Sequence, residues 1–416
     1  MSRLSISNSD DVSRTDAAPY RFLREVALRG VQVATLAAVC LLPYGALLWF
    51  AGEAPAPMRI AASPAGPLLW SSKYYDFGIH KTAIAMLRRP RVAIVGSSRV
   101  MQFRARAFSN VPSADVYNLG GDTRDMVDAY SDLLRLTTWS RPELIILGLD
   151  WWWFRGTDPV PDDVVATIER GETSFEQRVN LPASVALSRA RDYRTYVSDR
   201  LTIFKTAWRD ADFWRSTGQQ WRRDDGISRY GIPSVLRDSG FRGDGSYQYS
   251  LNQPHLARDL AFQEQRERFL AGGLWYADST GVSHVQMKSL YRYLERCRRL
   301  GIEVVALLPP VASPVLNAIR NDSPRRQLLP QVAAQLPPMF EHFGFPLLDY
   351  SDAAVVGATD DDFYDGIHGT EKLYSRLLLH LATGTAAASV LRKYVDPAVL
   401  SNELQAAISW DRVYAN

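Results

Sequence analysis

Five short apolar runs, four ending at glycine, proline or aspartate and the last at Asp349-Tyr350, set the rhythm of the chain after residue 90. They are RVAIVG (91–96), DVYNLGG (115–121), PELIILGLD (142–150), GIEVVALLPP (301–310) and FPLLDY (345–350). Apolar runs of this length, rich in Val, Ile and Leu, predict parallel strands buried on both faces. Between them the apolar spacing becomes helical, over 122–138, 282–300, 325–343 and 370–388, and then on toward 408. Strands alternating with helices predict an α/β fold, a doubly wound five-stranded parallel sheet. Such sheets bind ligands beyond the carboxyl ends of their strands. There the sequence places Ser97-Ser98, Gly120-Gly121, Asp150, Pro309-Pro310 and Asp352.

The rhythm breaks after Asp150. Residues 151–281 are Arg-rich and aromatic, without strand alternation, and predict a mainly helical cap inserted between the first part of the core (91–150) and the second (282–416). Residues 52–66, with three Pro and several Ala, Gly and Ser, read as a linker, and 52–90 as linker and entry segment ahead of the core. Before it, residues 30–51 read GVQVATLAAVCLLPYGALLWFA, without a charge and with Gln32 as the one strongly polar side chain. That length matches the ~20 residues that cross a bilayer. Pro43 is tolerable in a spanning helix, and Trp49 and Phe50 suit the interfacial belt. Arg14, Arg21, Arg24 and Arg29 precede the span and Glu53 follows it. This asymmetry predicts a single-pass inner-membrane anchor, with residues 1–29 as a cytoplasmic tail and the rest periplasmic or otherwise extracytoplasmic. The rival readings are a cleaved signal peptide and a buried core helix.

Composition changes this picture little. Of 416 residues, 46% are hydrophobic and 22% charged, as in ordinary globular chains. The net charge of +3, with no basic patch interleaved with aromatics, argues against nucleic acid as a partner. Cys40 sits in the apolar span and Cys297 in a predicted helix, so a disulfide between them is not expected. Eleven Trp, three of them at 151–153, offer stacking surfaces for sugars or simply core filling. No phosphate loop, dinucleotide fingerprint or metal-ligand cluster is present, so no cofactor is expected.

The chemistry sits in two motifs. In Gly96-Ser97-Ser98-Arg99 a serine at a strand-to-helix turn can expose its hydroxyl and present its own N–H to an oxyanion. Helix caps also use serine for structural reasons alone. In Tyr364-Asp365-Gly366-Ile367-His368 a base and its orienting carboxylate stand three residues apart across a glycine. The alternative is an Asp that caps a turn and a surface His. Gly120 and Gly121 can lend backbone N–H groups to an oxyanion, or form a turn leading into a helix capped by Asp122. Arg99 pairs either with an acidic substrate group or with Asp150 or Asp122.

The order Gly-Ser-Ser, Asn-Leu-Gly-Gly, Gly-Leu-Asp and Asp-Gly-Ile-His resembles the SGNH (GDSL-like) hydrolase superfamily. It looks most like the membrane-associated branch with periplasmic polysaccharide O-acetyltransferases and the D-alanyl-transfer proteins. The resemblance covers about 91–150 and 304–379 and leaves the cap uncovered. It implies Ser98 as nucleophile, Asp365 and His368 as its partners, and the N–H groups of Ser98 and Gly120 as oxyanion donors. Ser97 fills a position where many members have Asp. Asp150 stands where hydrolases of the superfamily carry an Asn amide donor, and an ionised carboxylate cannot donate. Asp150 would then stay protonated, bind a substrate hydroxyl, or leave the oxyanion to other donors. Arg99, Asp150 and Trp151 are the candidate substrate contacts. The expected activity is acyl transfer to, or ester hydrolysis on, an envelope polysaccharide, with a multispanning membrane protein as acyl donor. A non-catalytic glycan-binding or assembly protein on the same fold is the alternative.

Overall fold

The computed structural model describes residues 27–33, 35, 57–62, 67–71, 77–121, 123–156, 221, 222, 226–231, 234, 238–249, 262–272, 281–322 and 326–414. The chain divides into two compact units, 1–51 and 52–416. In the first, residues 27–33 are helical and Leu28, Val31 and Val33 are exposed. Most of the apolar span 30–51 lies outside the described residues. Among the described residues no helix is long and apolar enough to cross a membrane.

The second unit carries ten strands among its described residues: β1 Leu68–Trp70, β2 Val92–Val95, β3 Val116–Asn118, β4 Leu144–Gly148, β5 Trp221–Arg222, β6 Ser228–Tyr230, β7 Gly240–Arg242, β8 Tyr247–Gln248, β9 Glu303–Leu308 and β10 Leu347–Asp349. Its longer helices are α1 Phe77–Arg88, α2 Met126–Trp139, α3 Gln263–Ala271, α4 His284–Leu300, α5 Leu328–Phe343, α6 Glu371–Gly384 and α7 Pro397–Gln405. Each of the five predicted runs forms one strand of an all-parallel sheet with order β10-β9-β4-β2-β3. The fold is mixed α/β with the sheet pattern of a doubly wound domain. Val92, Ala93, Ile94, Leu144, Ile145, Ile146, Leu147, Val304 and Val305 have no exposed surface, as strands covered on both faces require. The chain leaves β2, forms β3 on one side and then crosses to β4 on the other. The strand order therefore reverses between β2 and β4, and a ligand crevice is expected at their carboxyl ends.

Local signals fix the helix ends. Asp125, directly before the first apolar position of α2, accepts the Asp128 N–H at 2.9 Å. The cap expected at Asp122 thus falls three residues later, and Asp122 itself lies outside the described residues. Ser283 and Thr370 cap α4 and α6, and Gly301 and Gly344 close α4 and α5 in the left-handed conformation. Helices α2, α4 and α5 pack side by side. The segment after β2 meets α6, where Phe103 contacts Tyr374 edge-on at 4.8 Å. Cys297 is a free, buried thiol in α4, and Cys40 lies outside the described residues.

A second sheet, with order β5-β6-β1-β7-β8, departs from the sequence reading. Leu68–Trp70, within the expected entry segment, is its central strand, parallel to β6 and antiparallel to β7. The expected mainly helical cap lies mostly outside the described residues. Its described residues supply four strands of this sheet and the nine-residue α3, while 157–220 lie outside the described residues. Strands of two or three residues show no alternation, and their pairing comes from main-chain hydrogen bonds to partners far along the chain. An aromatic cluster holds the sheet: the Phe241 ring lies 4.9 Å from Trp70, 5.1 Å from Phe77 and 5.0 Å from Tyr247.

Three glycines at strand ends make room for one side chain. A Cβ on Gly96, Gly120 or Gly148 would come within 2.9, 2.5 or 2.2 Å of a Val100 methyl. The turn after β2 thereby folds tightly over the sheet's edge, which sets Ser98 at the crevice. Gly148→Ala is expected to destabilise the fold by about 1–3 kcal/mol through overpacking. Val100→Ala in the same chain should recover most of that loss, and thermal unfolding of the single and double variants checks it. Additive losses would show that Gly148 is required for another reason.

Candidate active site

Ser98 opens a 3-10 turn, Ser98–Val100, directly beyond β2. Ser97 holds that turn, its hydroxyl accepting the Arg99 N–H at 3.2 Å. On the far side of the crevice, residues 363–369 form a tight loop closed by an antiparallel bridge between Phe363 and Gly369 and by the Tyr364 N–H bonding to the His368 carbonyl at 2.9 Å. Gly366 supplies the bend with φ +91°, and a Cβ there would also meet Val315 at 2.7 Å. Within this loop Asp365 Oδ1 accepts the N–H groups of Ile367 at 3.1 Å and His368 at 2.9 Å.

The two motifs meet. Ser98 Oγ lies 2.7 Å from His368 Nε2, and His368 Nδ1 lies 2.7 Å from Asp365 Oδ2. The three side chains form a continuous hydrogen-bonded relay. The His368 side chain is 17% exposed and that of Asp365 47%, so the relay is open to approach from solvent. Partial burial raises the Asp365 carboxyl, but the His368 charge, its ring hydrogen bond and the two backbone donors outweigh that and hold it at about 2. Asp365 is therefore ionised at any working pH and fixes the tautomer that presents a bare Nε2 to Ser98.

The oxyanion side differs from expectation. The Gly120 N–H donates to Asn118 Oδ1 at 2.8 Å and so is already engaged. The Gly121 N–H donates to the Gly96 carbonyl at 3.0 Å. The Ser98 N–H makes no short hydrogen bond with a described residue. Asp150 is fully buried and pairs with Arg99, Nη1 to Oδ1 at 2.8 Å. Arg99 also donates through Nη2 to the carbonyls of Pro309 and, at 2.7 Å, Pro310, and its guanidinium lies 5.0 Å from the Trp152 ring centre. Burial pushes the Asp150 carboxyl up, against Arg99, the Ser97 hydroxyl and His368, all of which lower it. Arg99, Asp150 and Trp151 are 2%, 0% and 3% exposed, and Trp152 and Trp153 are buried as well. The structure places all of them beneath the site and not on a surface open to substrate.

Three further residues support the site from positions that the sequence did not single out. Lys81 of α1 is buried, donates to the Gly120 carbonyl and to the Gly245 carbonyl at 2.8 Å, and lies 4.4 Å from the Phe241 ring centre. The Tyr249 ring lies 5.9 Å from that of His368 and 4.3 Å from that of Tyr364. Burial, and then the Asp365 charge, push its phenol well up, so it remains a hydrogen-bond donor. Glu371, in the first turn of α6, accepts the N–H groups of Val413 at 2.9 Å and Tyr414 at 2.8 Å and pairs with Arg104 at 2.6 Å. Arg104 in turn pairs with Asp244 at 3.3 Å, and Arg242 approaches Glu371 at 3.6 Å. Only the position of Glu371, three residues after His368 and one after the capping Thr370, was a readable signal. Among the described residues no cluster of three or more His, Cys, Asp or Glu side chains could hold a metal ion. No protein-family model and no curated protein sequence matches the chain.

The buried charge cluster predicts acid sensitivity. Burial raises Asp244, but Arg104, Ser246, Arg242 and the Ala105 N–H hold it at about 2. A carboxyl that is lower in the folded chain contributes stability above its unfolded value of about 3.9, and this is lost as pH falls toward the folded value. The thermal midpoint is therefore expected to fall steadily from about pH 5 to pH 2. Asp244→Asn should start lower and change less over that range, as read by circular dichroism. Parallel curves would show that Asp244 carries no part of the effect.

Proposed function

We propose that this protein is a serine acyltransferase or esterase that acts on an extracytoplasmic polysaccharide. The observation that carries the reading is the relay from Ser98 through His368 to Asp365, with 2.7 Å at each step. Its place at the strand-order reversal between β2 and β4 is where an open α/β sheet binds its ligand. Ser98 Oγ attacks an ester carbonyl while His368 Nε2 takes the hydroxyl proton. The ester C–O bond then breaks, and His368 returns that proton to the leaving alkoxide. The resulting acyl-serine is resolved when His368 deprotonates a sugar hydroxyl or water, which attacks the acyl carbon and regenerates Ser98. The Ser98 N–H is the backbone donor best placed for the oxyanion.

The finer fold assignment follows the same residues: a flavodoxin-like sheet of the SGNH type, the order given by the β2 nucleophile turn and the Asp-His loop before α6. Residues 30–51 are proposed as a single-pass anchor that leaves the catalytic unit outside the cytoplasm, because the run is uncharged and basic residues precede it. One span cannot carry an acyl group across a bilayer, so transfer would need a multispanning donor protein as partner.

A second reading is a non-catalytic glycan-binding or assembly protein. It is favoured by the engagement of the Gly120 N–H with Asn118 and of Asp150 with Arg99, which leaves few oxyanion donors. A fluorophosphonate probe separates the two. The first reading expects one covalent adduct, mapped to Ser98 by peptide mass spectrometry and absent from His368→Ala. Folded protein without an adduct would favour the second reading.

A further inference from the structure

Helix α4 carries Lys288, Arg292, Arg296 and Arg299 at helical spacings of four, four and three, which places them along one stripe. Where this stripe faces α2, a cleft of about 330 Å³ is lined by Arg292, Arg296, Arg299, Glu295, Tyr130 and Leu134. Among the described lining residues, three guanidinium groups thus meet one carboxylate. Glu295 is engaged by Arg292 at 2.8 Å, and Arg296 Nε donates to Thr137 Oγ1 at 2.9 Å, which fixes its direction. Arg296 and Arg299 have no carboxylate partner among the described residues. Guanidinium groups recognise carboxylates and phosphates through paired N–H donors.

We propose that the α2–α4 cleft binds carboxylate-bearing sugars of an anionic glycan. The volume is that of a site for a ring-sized ligand, in the usual range of about 300–1,000 Å³, and a bare phosphate would leave most of it empty. Tyr130 and Leu134 of α2 form the wall of the cleft opposite these cations. A concave site with Glu295 among its cations suits a single chain better than a flat anionic surface would. The inference rests on the polysaccharide part of the proposed function and is independent of the triad.

The test uses the full chain in detergent, with oligogalacturonate as the anionic probe, a neutral dextran oligosaccharide of equal length, and inorganic phosphate. Calorimetric titration is expected to show binding of oligogalacturonate alone, weakened by added salt. Arg296→Ala with Arg299→Ala should weaken it by about tenfold or more, the loss of at least one charge-assisted contact. Turnover of p-nitrophenyl acetate should not change. Should that pair of substitutions lower the thermal midpoint, Arg299→Gln, at an exposed position, gives the same reading with a smaller loss. Equal binding of dextran, unchanged binding by the variants, or phosphate binding that excludes oligogalacturonate would each overturn the proposal. Because turnover and binding are read separately, a chain with unreactive Ser98 that still binds oligogalacturonate refutes only the enzymatic reading.

Discussion

Ser98→Ala is expected to lower kcat/KM for p-nitrophenyl acetate by at least about a thousandfold, equivalent to ~4 kcal/mol of transition-state stabilisation. The loss should be chemical and not structural. The Ser98 hydroxyl bonds to His368, and its removal opens no large cavity, so the thermal midpoint should stay close to that of the wild type. His368→Ala should cost a similar factor, and the two together no more than either alone, because relay members act as one unit. Independent losses that multiplied in the double variant would contradict a shared relay. Asp365→Asn is the subtler case. An amide oxygen can still accept the N–H groups of Ile367 and His368, so the loop should keep its shape. Its NH2 group opposite Nδ1 would favour the other tautomer and present a protonated Nε2 to Ser98, and a loss on the order of 10⁴ in kcat is expected. Equal residual activity in wild type and Ser98→Ala would sink the catalytic reading whatever the other variants did.

What was legible in the sequence follows from how far apart the interacting residues are. The five parallel strands could be read because burial on both faces leaves an unbroken apolar run, and no other pattern of that length competes with it. Asp365 and His368 could be read as a pair because three residues and one glycine separate them. Ser98 could be read only as the end of a strand, and its meeting with His368 required the fold. The second sheet was hidden, since Leu68–Trp70 pairs with Ser228–Tyr230 and Phe241–Arg242, far along the chain. Gly120 shows the opposite failure. The signal was adjacent, in Asn118, whose side chain bonds the N–H two residues on, as Asn does in turns. Reading Gly120 as a donor overlooked a local acceptor that was already present. Trp151–Trp153 could not be assigned by composition, because core packing and sugar stacking draw on the same residues, and burial decided for the core.

The largest effect on stability is expected at Arg99 and Asp150. Both are buried, they bond at 2.8 Å, and Arg99 also reaches the carbonyls that end the segment after β9. Removing one partner strands the other charge in the interior, at a cost of about 3–5 kcal/mol. Arg99→Leu and Asp150→Leu should each lower the thermal midpoint sharply. The double variant should be more stable than the sum of the singles, with a coupling of about 2–3 kcal/mol in a double-mutant cycle. Recovery should stay incomplete, because the Pro309 and Pro310 carbonyls would lose their donor. The pair is not ideal even now, since buried Arg99 Nε has no hydrogen-bond partner among the described residues. For the same reason Asp150→Asn should not restore a missing oxyanion donor. The Asn side chain would occupy the place of a carboxylate that neutralises Arg99, and the variant should lose stability without gaining turnover. A more active and equally stable Asp150→Asn would show instead that this position faces the reacting carbonyl and that Arg99 does not need its charge.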